Sequence, residues 1–230
     1  MKYELLIFDW DGTLADSAGQ IVSAMQAAIL GLGLPPREDQ AIRELIGLGL
    51  DDVLARLYPE LEPGGLRALL EGYRAKWLSA GTFEAPLFAG SIEAIRELRA
   101  RGHRIAIATG KSRRGLDRSL RHHASLAELI VNSRCADETA AKPNPLMLRE
   151  LLAAEGVTAE RALMIGDTEY DMAMAQAIGM DGLGVACGVH DPGRLRRAGA
   201  AAVIATVAEL PTWLFRAGDS RPRAAAGTAQ

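Results

Sequence analysis

The chain has 230 residues, a length that indicates one large domain or a domain carrying a substantial insertion. Its formal net charge of −3 argues against a general nucleic-acid binder, which needs a basic face to neutralise phosphates. The two cysteines, Cys135 and Cys187, do not support a disulfide scaffold, and we find neither a signal peptide nor a membrane-length apolar segment, so we predict a cytoplasmic protein without a membrane partner.

Short, continuous apolar runs recur along the chain at residues 5–8, 105–108, 162–165 and 183–186. Such runs are typical of strands that are buried on both faces of a parallel sheet. Amphipathic helical patterns lie between them, and several stop at a glycine, as at Gly102. Strands that alternate with helices of this length predict an α/β fold with a doubly wound, Rossmann-like parallel sheet.

The segment that follows the first run breaks this alternation. It carries helical patterns and no convincing strand: a helix capped by Ser17, and further helices expected at 37–46 and 63–81. An all-helical insert directly after the first strand is expected to cover the carboxyl edge of the sheet, where doubly wound folds bind ligands.

The predicted domain organisation follows from this insert. We expect residues 1–14 and 86–215 to form the catalytic core and residues 15–85 to form a helical cap. Residues 216–230 are rich in Arg, Ala and Gly without periodicity, and we expect them to form a disordered tail.

Two aspartates follow the first predicted strand in the sequence Asp9-Trp10-Asp11-Gly12-Thr13. Carboxylates at i and i+2 beyond a strand end can both turn into the crevice, because the chain is leaving the pleat. Gly12 comes too early for the ligand pattern of an EF-hand loop. A capped turn is an alternative for this segment, and so is the Asp-x-Asp metal pair of a nucleotide-sugar transferase.

The second predicted strand ends at Thr109-Gly110-Lys111-Ser112, which superficially resembles a phosphate-binding P-loop. That motif requires a glycine at the position of Ile105, so the P-loop interpretation fails. A hydroxyl and free backbone N–H groups before a helix still suit an anion at the helix N-terminus. Simple capping of the helix by Thr109 or Ser112 is the alternative.

Two further segments carry charged residues at predicted strand ends or helix starts. Lys142 precedes a proline at the entry to a helix, which gives its side chain a defined position. The alternative interpretation is that Lys142 is a solvated charge in a loop. Asp167 follows a predicted strand, and Asp171 lies one turn into the next helix, so both can face one point unless they serve only as helix caps. Converging carboxylates repel one another unless a divalent cation neutralises them, and hard oxygen ligands suit Mg²⁺.

Taken in order, these motifs resemble those of the haloacid dehalogenase superfamily of phosphatases. The set comprises Asp9-x-Asp11-Gly12-Thr13, then Thr109, then Lys142-Pro143, then Gly166-Asp167-x-x-x-Asp171, and the resemblance covers about residues 3 to 210. The helical insert looks like the small cap of phosphoglycolate-phosphatase-like members of that family.

The resemblance implies a role for each matching residue. Asp9 would be the nucleophile that forms an aspartyl-phosphate, and Asp11 would be the general acid and base. Thr109 and Gly110 would bind the phosphoryl group, and Lys142 would hold both that group and Asp9 in place. Dehalogenase members of the family lack the acid/base, so Asp11 favours phosphate esters as substrates.

The resemblance also implies Mg²⁺ as the cofactor. Its ligands would be Asp9, Asp167 and the backbone carbonyl of Asp11, with Asp171 in support. A carboxylate is a poor nucleophile towards a phosphate dianion unless cations screen the approach.

We therefore predict Mg²⁺-dependent hydrolysis of a small phosphorylated metabolite such as 2-phosphoglycolate by a monomer or homodimer. A sugar-phosphate phosphatase and a β-phosphoglucomutase-like phosphotransferase are alternatives with the same chemistry. A phosphate-binding or regulatory protein on the same fold is the non-enzymatic alternative. The segment 47–50 in the cap, Gly-Leu-Gly-Leu, is expected to be either a plain helix–helix turn or a loop that selects substrates.

Overall fold

The computed structural model describes residues 2–79 and 84–219. Within these ranges six parallel strands form one sheet in the order β3-β2-β1-β4-β5-β6. The strands are β1 (Leu5–Phe8), β2 (Arg104–Thr109), β3 (Ile130–Cys135), β4 (Ala162–Gly166), β5 (Asp181–Val185) and β6 (Ala200–Ile204). The strand order changes direction at β1, so the crevice of a doubly wound fold opens at the carboxyl end of this strand.

Helices cover both faces of the sheet and form the insert after β1. They are α1 (Ala18–Gly31), α2 (Asp39–Arg43), α3 (Leu50–Leu57), α4 (Pro63–Ser79), α5 (Ser91–Ala100), α6 (Arg113–His122), α7 (Ala124–Ala127), α8 (Leu146–Glu155), α9 (Glu169–Gln176), α10 (Pro192–Arg197) and α11 (Leu210–Asp219).

The central strand β1 is buried on both faces because its side chains alternate between two hydrophobic layers. Leu6 and Phe8 pack in the layer that includes α5, whereas Leu5 and Ile7 pack in the layer that includes α8. All four side chains are fully buried. The predicted α/β fold with a doubly wound parallel sheet is thus confirmed.

The sequence patterns did not predict the two edge strands, β3 and β6. The first carries Asn132, Ser133 and Arg134, and the second is made of small residues around Val203. Most side chains of both strands are only partly buried, so neither strand needs the continuous apolar run by which inner strands are recognised.

The insert after β1 consists of α1 to α4 and has a hydrophobic core of its own. This core includes Val22, Met25, Ile29, Ile42, Leu54, Tyr58 and Leu69. The helix expected at 37–46 is shorter, because α2 ends at Arg43 and the chain continues in turns. Helix α3 was not predicted.

Two paired segments connect this insert to the sheet. The backbone N–H of Asp16 donates to the Pro86 carbonyl at 2.9 Å, and that of Phe88 donates to the Leu14 carbonyl at 2.9 Å. The chain therefore leaves and re-enters the core side by side. The domain boundaries at residues 14/15 and 85/86 stay predictions.

The last helix of the described residues, α11, includes residues 216–219 of the predicted tail, and residues 220–230 lie outside the described residues. In the ranges that the structure describes, the helices are all too short or too polar to span a bilayer.

Candidate active site

The predicted site residues gather where β1, β2 and β4 end. Phe8 pairs in register with Ile107 of β2 and Ile165 of β4, so the next residues of all three strands reach the same edge. Asp9 follows β1, Thr109 is the last residue of β2, and Asp167 follows β4. This edge is the ligand-binding edge of doubly wound sheets.

Asp9 is almost fully buried, with 1% of its surface exposed. Its Oδ1 accepts a hydrogen bond from its neighbour's backbone, Trp10 N, at 2.7 Å and lies 2.8 Å from Lys142 Nζ. Its Oδ2 has no hydrogen-bond partner among the described residues. Burial raises the pKa of Asp9 well above its usual value, the nearby Lys142 opposes that rise, and Asp171 and Asp167 add to it. One carboxylate oxygen is thus buried, unpartnered and able to bind a cation or to act as a nucleophile.

Lys142 forms a second buried ion pair, because its Nζ also lies 2.7 Å from Oδ1 of Asp171. Burial by itself lowers the pKa of Lys142, but the attraction of Asp171 and Asp9 outweighs it and raises the pKa above its usual value. The solvated loop charge considered from the sequence is therefore wrong for this residue, whose side chain is fully buried.

Three carboxylates converge next to this lysine. One oxygen from each of Asp9, Asp167 and Asp171 lies within 4.8 Å of the other two, and all three residues are buried. Burial, together with the charge of Asp171, raises the pKa of Asp167 to about 7. One ammonium group faces three carboxylates, so the cluster is short of positive charge, and its hard oxygens suit a divalent cation such as Mg²⁺.

Local hydrogen bonds fix the carboxylates of this cluster. Asp167 accepts a bond from the Thr13 hydroxyl at 2.8 Å and another from the backbone N–H of Val189 at 2.9 Å. Asp171 forms a capping box with Thr168 at the start of α9. The Asp171 carboxylate accepts hydrogen bonds from the backbone N–H of Thr168 at 3.1 Å and from the Thr168 hydroxyl at 2.7 Å. Helix capping and participation in the cluster are therefore compatible for Asp171.

Glycines allow the backbone to approach the cluster closely. A Cβ on Gly12 would lie 2.3 Å from Asp167 Oδ2, and a Cβ on Gly166 would lie 2.3 Å from Asp171 Oδ2. Gly12 also has a φ of 80°, in the left-handed region that favours glycine. Side chains at these positions would displace the carboxylates.

The side chain of Asp11 lies outside the carboxylate cluster. Its Oδ1 accepts a hydrogen bond from the Ser17 hydroxyl at 2.6 Å and lies 2.8 Å from Lys111 Nζ. Ser17 precedes α1 as predicted, but its hydroxyl makes no capping bond to the helix because it is directed to Asp11. The backbone carbonyl of Asp11 stays a predicted Mg²⁺ ligand.

Thr109 ends β2, and the next residue, Gly110, lies close to the segment 47–50, here named the cap loop. Thr109 is fully buried, and its hydroxyl accepts a 3.2 Å hydrogen bond from the Lys111 backbone N–H. A Cβ on Gly110 would lie 2.5 Å from the carbonyl oxygen of Leu48 and 2.6 Å from that of Gly47. The cap loop thus contacts the core directly at the end of β2.

A cavity of about 750 Å³ separates the cap from the core and is lined by Asp9, Asp11, Gly110 and the cap loop. Ligand-sized pockets generally have volumes of about 300–1,000 Å³. The arrangement therefore places an unpartnered carboxylate oxygen, a cluster of carboxylates that could hold a cation, and a ligand-sized space together.

The model of the haloacid dehalogenase-like hydrolase family matches residues 6–185.

The chain belongs to this family.

Named relatives of this haloacid dehalogenase-like hydrolase include phosphatases. The probable phosphatase IndB of Dickeya dadantii is 32% identical over 210 residues, which cover 90% of this chain and 91% of the relative. The phosphoglycolate phosphatase of Rhodospirillum rubrum is 30% identical over 219 residues, with 91% and 90% covered. A hydrolase from Pseudomonas syringae has a similar structure, with a TM-score of 0.81, 27% identity and coverage of 92% and 97%. The predicted family and the assignment as a phosphatase are confirmed.

Sequence reasoning missed Lys111, which contacts Asp11 in this haloacid dehalogenase-like hydrolase. In the sequence, Lys111 stands out only as part of a failed P-loop motif. In the structure, its ammonium group also lies 5.4 Å from the ring centroid of Trp77 in the cap. A lysine two residues after the end of β2 is a signal that could have been used, since Asp11 follows the neighbouring strand.

A second missed contact joins cap and core through Glu44, just after α2. Its carboxylate accepts a hydrogen bond from Arg194 of α10, and its backbone carbonyl accepts one from the Tyr170 hydroxyl at 2.8 Å. Arg194 also donates two bonds to Glu169, at 2.8 and 2.6 Å. The bonds from Arg194 lower the pKa of both glutamates. Long-range pairs of this kind leave no local pattern in the sequence.

Proposed function

We propose that the chain is a Mg²⁺-dependent phosphatase that hydrolyses small phosphate monoesters through an aspartyl-phosphate on Asp9. The observation that carries this proposal is the buried, unpartnered Oδ2 of Asp9, a residue that lines the cavity beside Lys142 and two further carboxylates. The names of the relatives support phosphate esters as substrates.

In the first step, Asp9 Oδ2 attacks phosphorus and the ester oxygen leaves with a proton from Asp11. In the second step, water attacks the aspartyl-phosphate, Asp11 takes a proton from that water, and inorganic phosphate leaves with Asp9 restored. Splitting the reaction in this way replaces one difficult displacement by two easier ones. Ser17 and Lys111 hold the Asp11 carboxylate next to the cavity between turnovers.

The remaining residues position the phosphoryl group. The Thr109 hydroxyl and the Gly110 backbone N–H donate to its oxygens, and Lys142 neutralises charge on Asp9 and the phosphoryl group. Phosphoryl transfer depends mainly on such positioning and electrostatic stabilisation.

The carboxylates of Asp9 and Asp167 and the backbone carbonyl of Asp11 would hold Mg²⁺, with Asp171 in support. When bound, the ion supplies the positive charge that lets a phosphate dianion approach an anionic nucleophile. Three buried carboxylates face only the one ammonium group of Lys142 in this cluster, and this excess of negative charge fits a bound Mg²⁺ ion.

The experiment that tests the proposal measures hydrolysis of p-nitrophenyl phosphate and of 2-phosphoglycolate with Mg²⁺, with excess EDTA, and after Mg²⁺ is restored. We expect activity that disappears in EDTA and returns with the ion, and none in Asp9→Asn. Full activity of exhaustively demetallated protein, or of Asp9→Asn, would overturn the proposal.

A further inference from the structure

The cavity beside Asp9 is much larger than a two-carbon phosphate ester requires. Its volume of about 750 Å³ lies within the range of about 300–1,000 Å³ that holds drug-sized ligands. The volume therefore leaves room for a substrate with a larger body than phosphoglycolate.

One wall of this cavity carries apolar and aromatic side chains together with Arg74 of α4. Tyr73 and Trp77 of α4 stack on each other with ring centroids 6.0 Å apart and planes at 27°. Ile21 and Met25 of α1 line the same cavity. Flat aromatic and apolar surfaces of this kind bind rings and hydrocarbon groups and offer little to a small acid.

The adjoining wall is formed by α6 and is basic, and Arg118 on it donates a 3.4 Å hydrogen bond to the Trp77 carbonyl of α4. Arg114, Arg118 and Arg121 all line the cavity, because their spacing of four and three residues places them on one face of the helix. Arg118 forms an ion pair with Glu84. Within the described ranges, neither Arg114 nor Arg121 forms an ion pair with a carboxylate.

The position of α6 relates these arginines to the phosphate site. Helix α6 begins at Arg113, three residues after Gly110, where the phosphoryl group is expected. At about 1.5 Å per residue, Arg114 lies about 1.5 Å and Arg121 about 12 Å along the helix from its first residue, Arg113. An anionic group on this wall would therefore belong to the far end of a substrate whose phosphate lies at Asp9.

Carboxylates also line the cavity, but they are on other elements. Asp51 and Asp52 are in the first turn of α3, where acidic residues suit the helix N-terminus. Asp137 accepts a hydrogen bond from the Arg113 backbone N–H. Among the described residues these three carboxylates form no ion pair with Arg114 or Arg121. They therefore do not neutralise the charges of these two arginines.

We infer that the preferred substrate is a phosphate monoester with an apolar or aromatic body and a second anionic group, which binds Arg114 and Arg121. This inference rests on the proposed phosphatase activity and names the substrate class of the same site. The aromatic pair on α4 holds the body, and the arginines select the second anion through charge-assisted hydrogen bonds. The alternative is that the α6 arginines are merely a solvated helix face.

A matched pair of substrates tests the inference: phenyl phosphate, and 4-carboxyphenyl phosphate, which adds one anion at the far end of the ring. We expect the wild-type kcat/KM to be at least about tenfold higher for the carboxylated compound, because a hydrogen bond between charged groups is worth about this factor. In Arg114→Gln/Arg121→Gln this ratio should fall to about one. Arg196→Gln, on an exposed arginine of α10 outside the cavity lining, is the matched control and should keep the ratio.

Binding without turnover separates this inference from the catalytic proposal. Asp9→Asn, titrated with the same two compounds, should show the same preference in Kd, and the preference should be lost when the two arginine substitutions are added. Equal kcat/KM values for the two compounds in the wild type, or a preference that survives in the double arginine variant, would overturn the inference. Hydrolysis of phenyl phosphate with Mg²⁺ would in that case still support the phosphatase proposal.

Discussion

The ammonium group of Lys142 lies 2.8 Å from Oδ1 of Asp9, and the two side chains are 0% and 1% exposed. The same ammonium group lies 2.7 Å from Asp171. A single buried cation therefore holds two of the three carboxylates that converge at the end of the sheet. Its removal should affect the folded state as well as the chemistry.

We predict that Lys142→Met lowers the free energy of unfolding of the metal-free protein by about 3–5 kcal/mol, because it leaves buried carboxylates without their partner. Mg²⁺ should restore part of the loss. The control is Lys2→Met, which removes an ion pair with Asp181 whose side chains are 54% and 43% exposed, and it should cost at most about 1 kcal/mol. Urea unfolding of both variants with and without Mg²⁺ provides the measurement. Equal losses in the two variants would contradict the assignment of Lys142.

The close packing of Gly110 against the cap loop gives a second prediction. Gly110→Ala places a methyl group about 2.5 Å from the Leu48 carbonyl oxygen, so the cap loop must move away from the proposed phosphate site. We expect kcat/KM for p-nitrophenyl phosphate to fall about 10- to 100-fold, since small misplacements of a site have effects of this size. Gly64→Ala, where a Cβ meets nothing within 4 Å, is the control and should stay within about twofold. If both variants behave like the wild type, the cap loop does not position the site.

A third prediction concerns His103, which is buried directly before β2, at the amino end of the strand and thus away from the site at the carboxyl ends. Its Nδ1 donates to the Tyr3 carbonyl at 2.9 Å, and burial lowers its pKa below the usual value of about 6.5. Between the lowered pKa of the folded state and the usual pKa of about 6.5, the unfolded chain therefore binds more protons than the folded one. Stability should therefore fall as the pH drops from about 6.5 to the folded pKa, by at most about 1.4 kcal/mol per pH unit.

His103→Asn keeps a donor for the Tyr3 carbonyl and removes the titrating ring. Denaturant unfolding between pH 7.5 and pH 5 should show a weaker loss of stability for this variant than for the wild type. His122→Asn, at an exposed position, should retain the wild-type dependence. Parallel pH curves for wild type and His103→Asn would show that His103 does not contribute.

The sequence predicts the inner sheet well because burial on both faces imposes a continuous apolar run, as in β1 and β4. It does not predict β3, because an edge strand needs neighbours only on one side and tolerates Asn132 and Arg134. The strand β3 is recognised only in the tertiary structure, where Asn132 pairs with Ala106 of β2.

For the candidate site, too, some features follow from local motifs and others do not. Asp9 and Asp167 are predicted together because parallel strands end at one edge, so local motifs suffice to place them. The pairing of Lys111 with Asp11 spans 100 residues and depends on side-chain direction, which the motifs do not encode. The predicted cap by Ser17 fails for a similar reason, since the nearby Asp11 carboxylate takes its hydroxyl bond.

The final prediction separates the two roles proposed for Asp11. Asp11→Asn keeps an oxygen to accept the Ser17 hydroxyl bond but cannot transfer a proton. Hydrolysis of alkyl phosphates should slow by about 10²–10⁴, the usual worth of positioned acid–base catalysis. With p-nitrophenyl phosphate the leaving group is already a stable anion, so only the second step should be impaired.

Rapid-quench mass spectrometry of Asp11→Asn with p-nitrophenyl phosphate and Mg²⁺ tests the central claim most directly, with metal affinity measured alongside. We predict a rapid burst of about one equivalent of p-nitrophenol, followed by a stall and by protein that carries one phosphoryl group on Asp9. Asp9→Asn should show neither burst nor modification. Equal losses on alkyl and aryl esters, with no burst and normal Mg²⁺ affinity, would contradict the account.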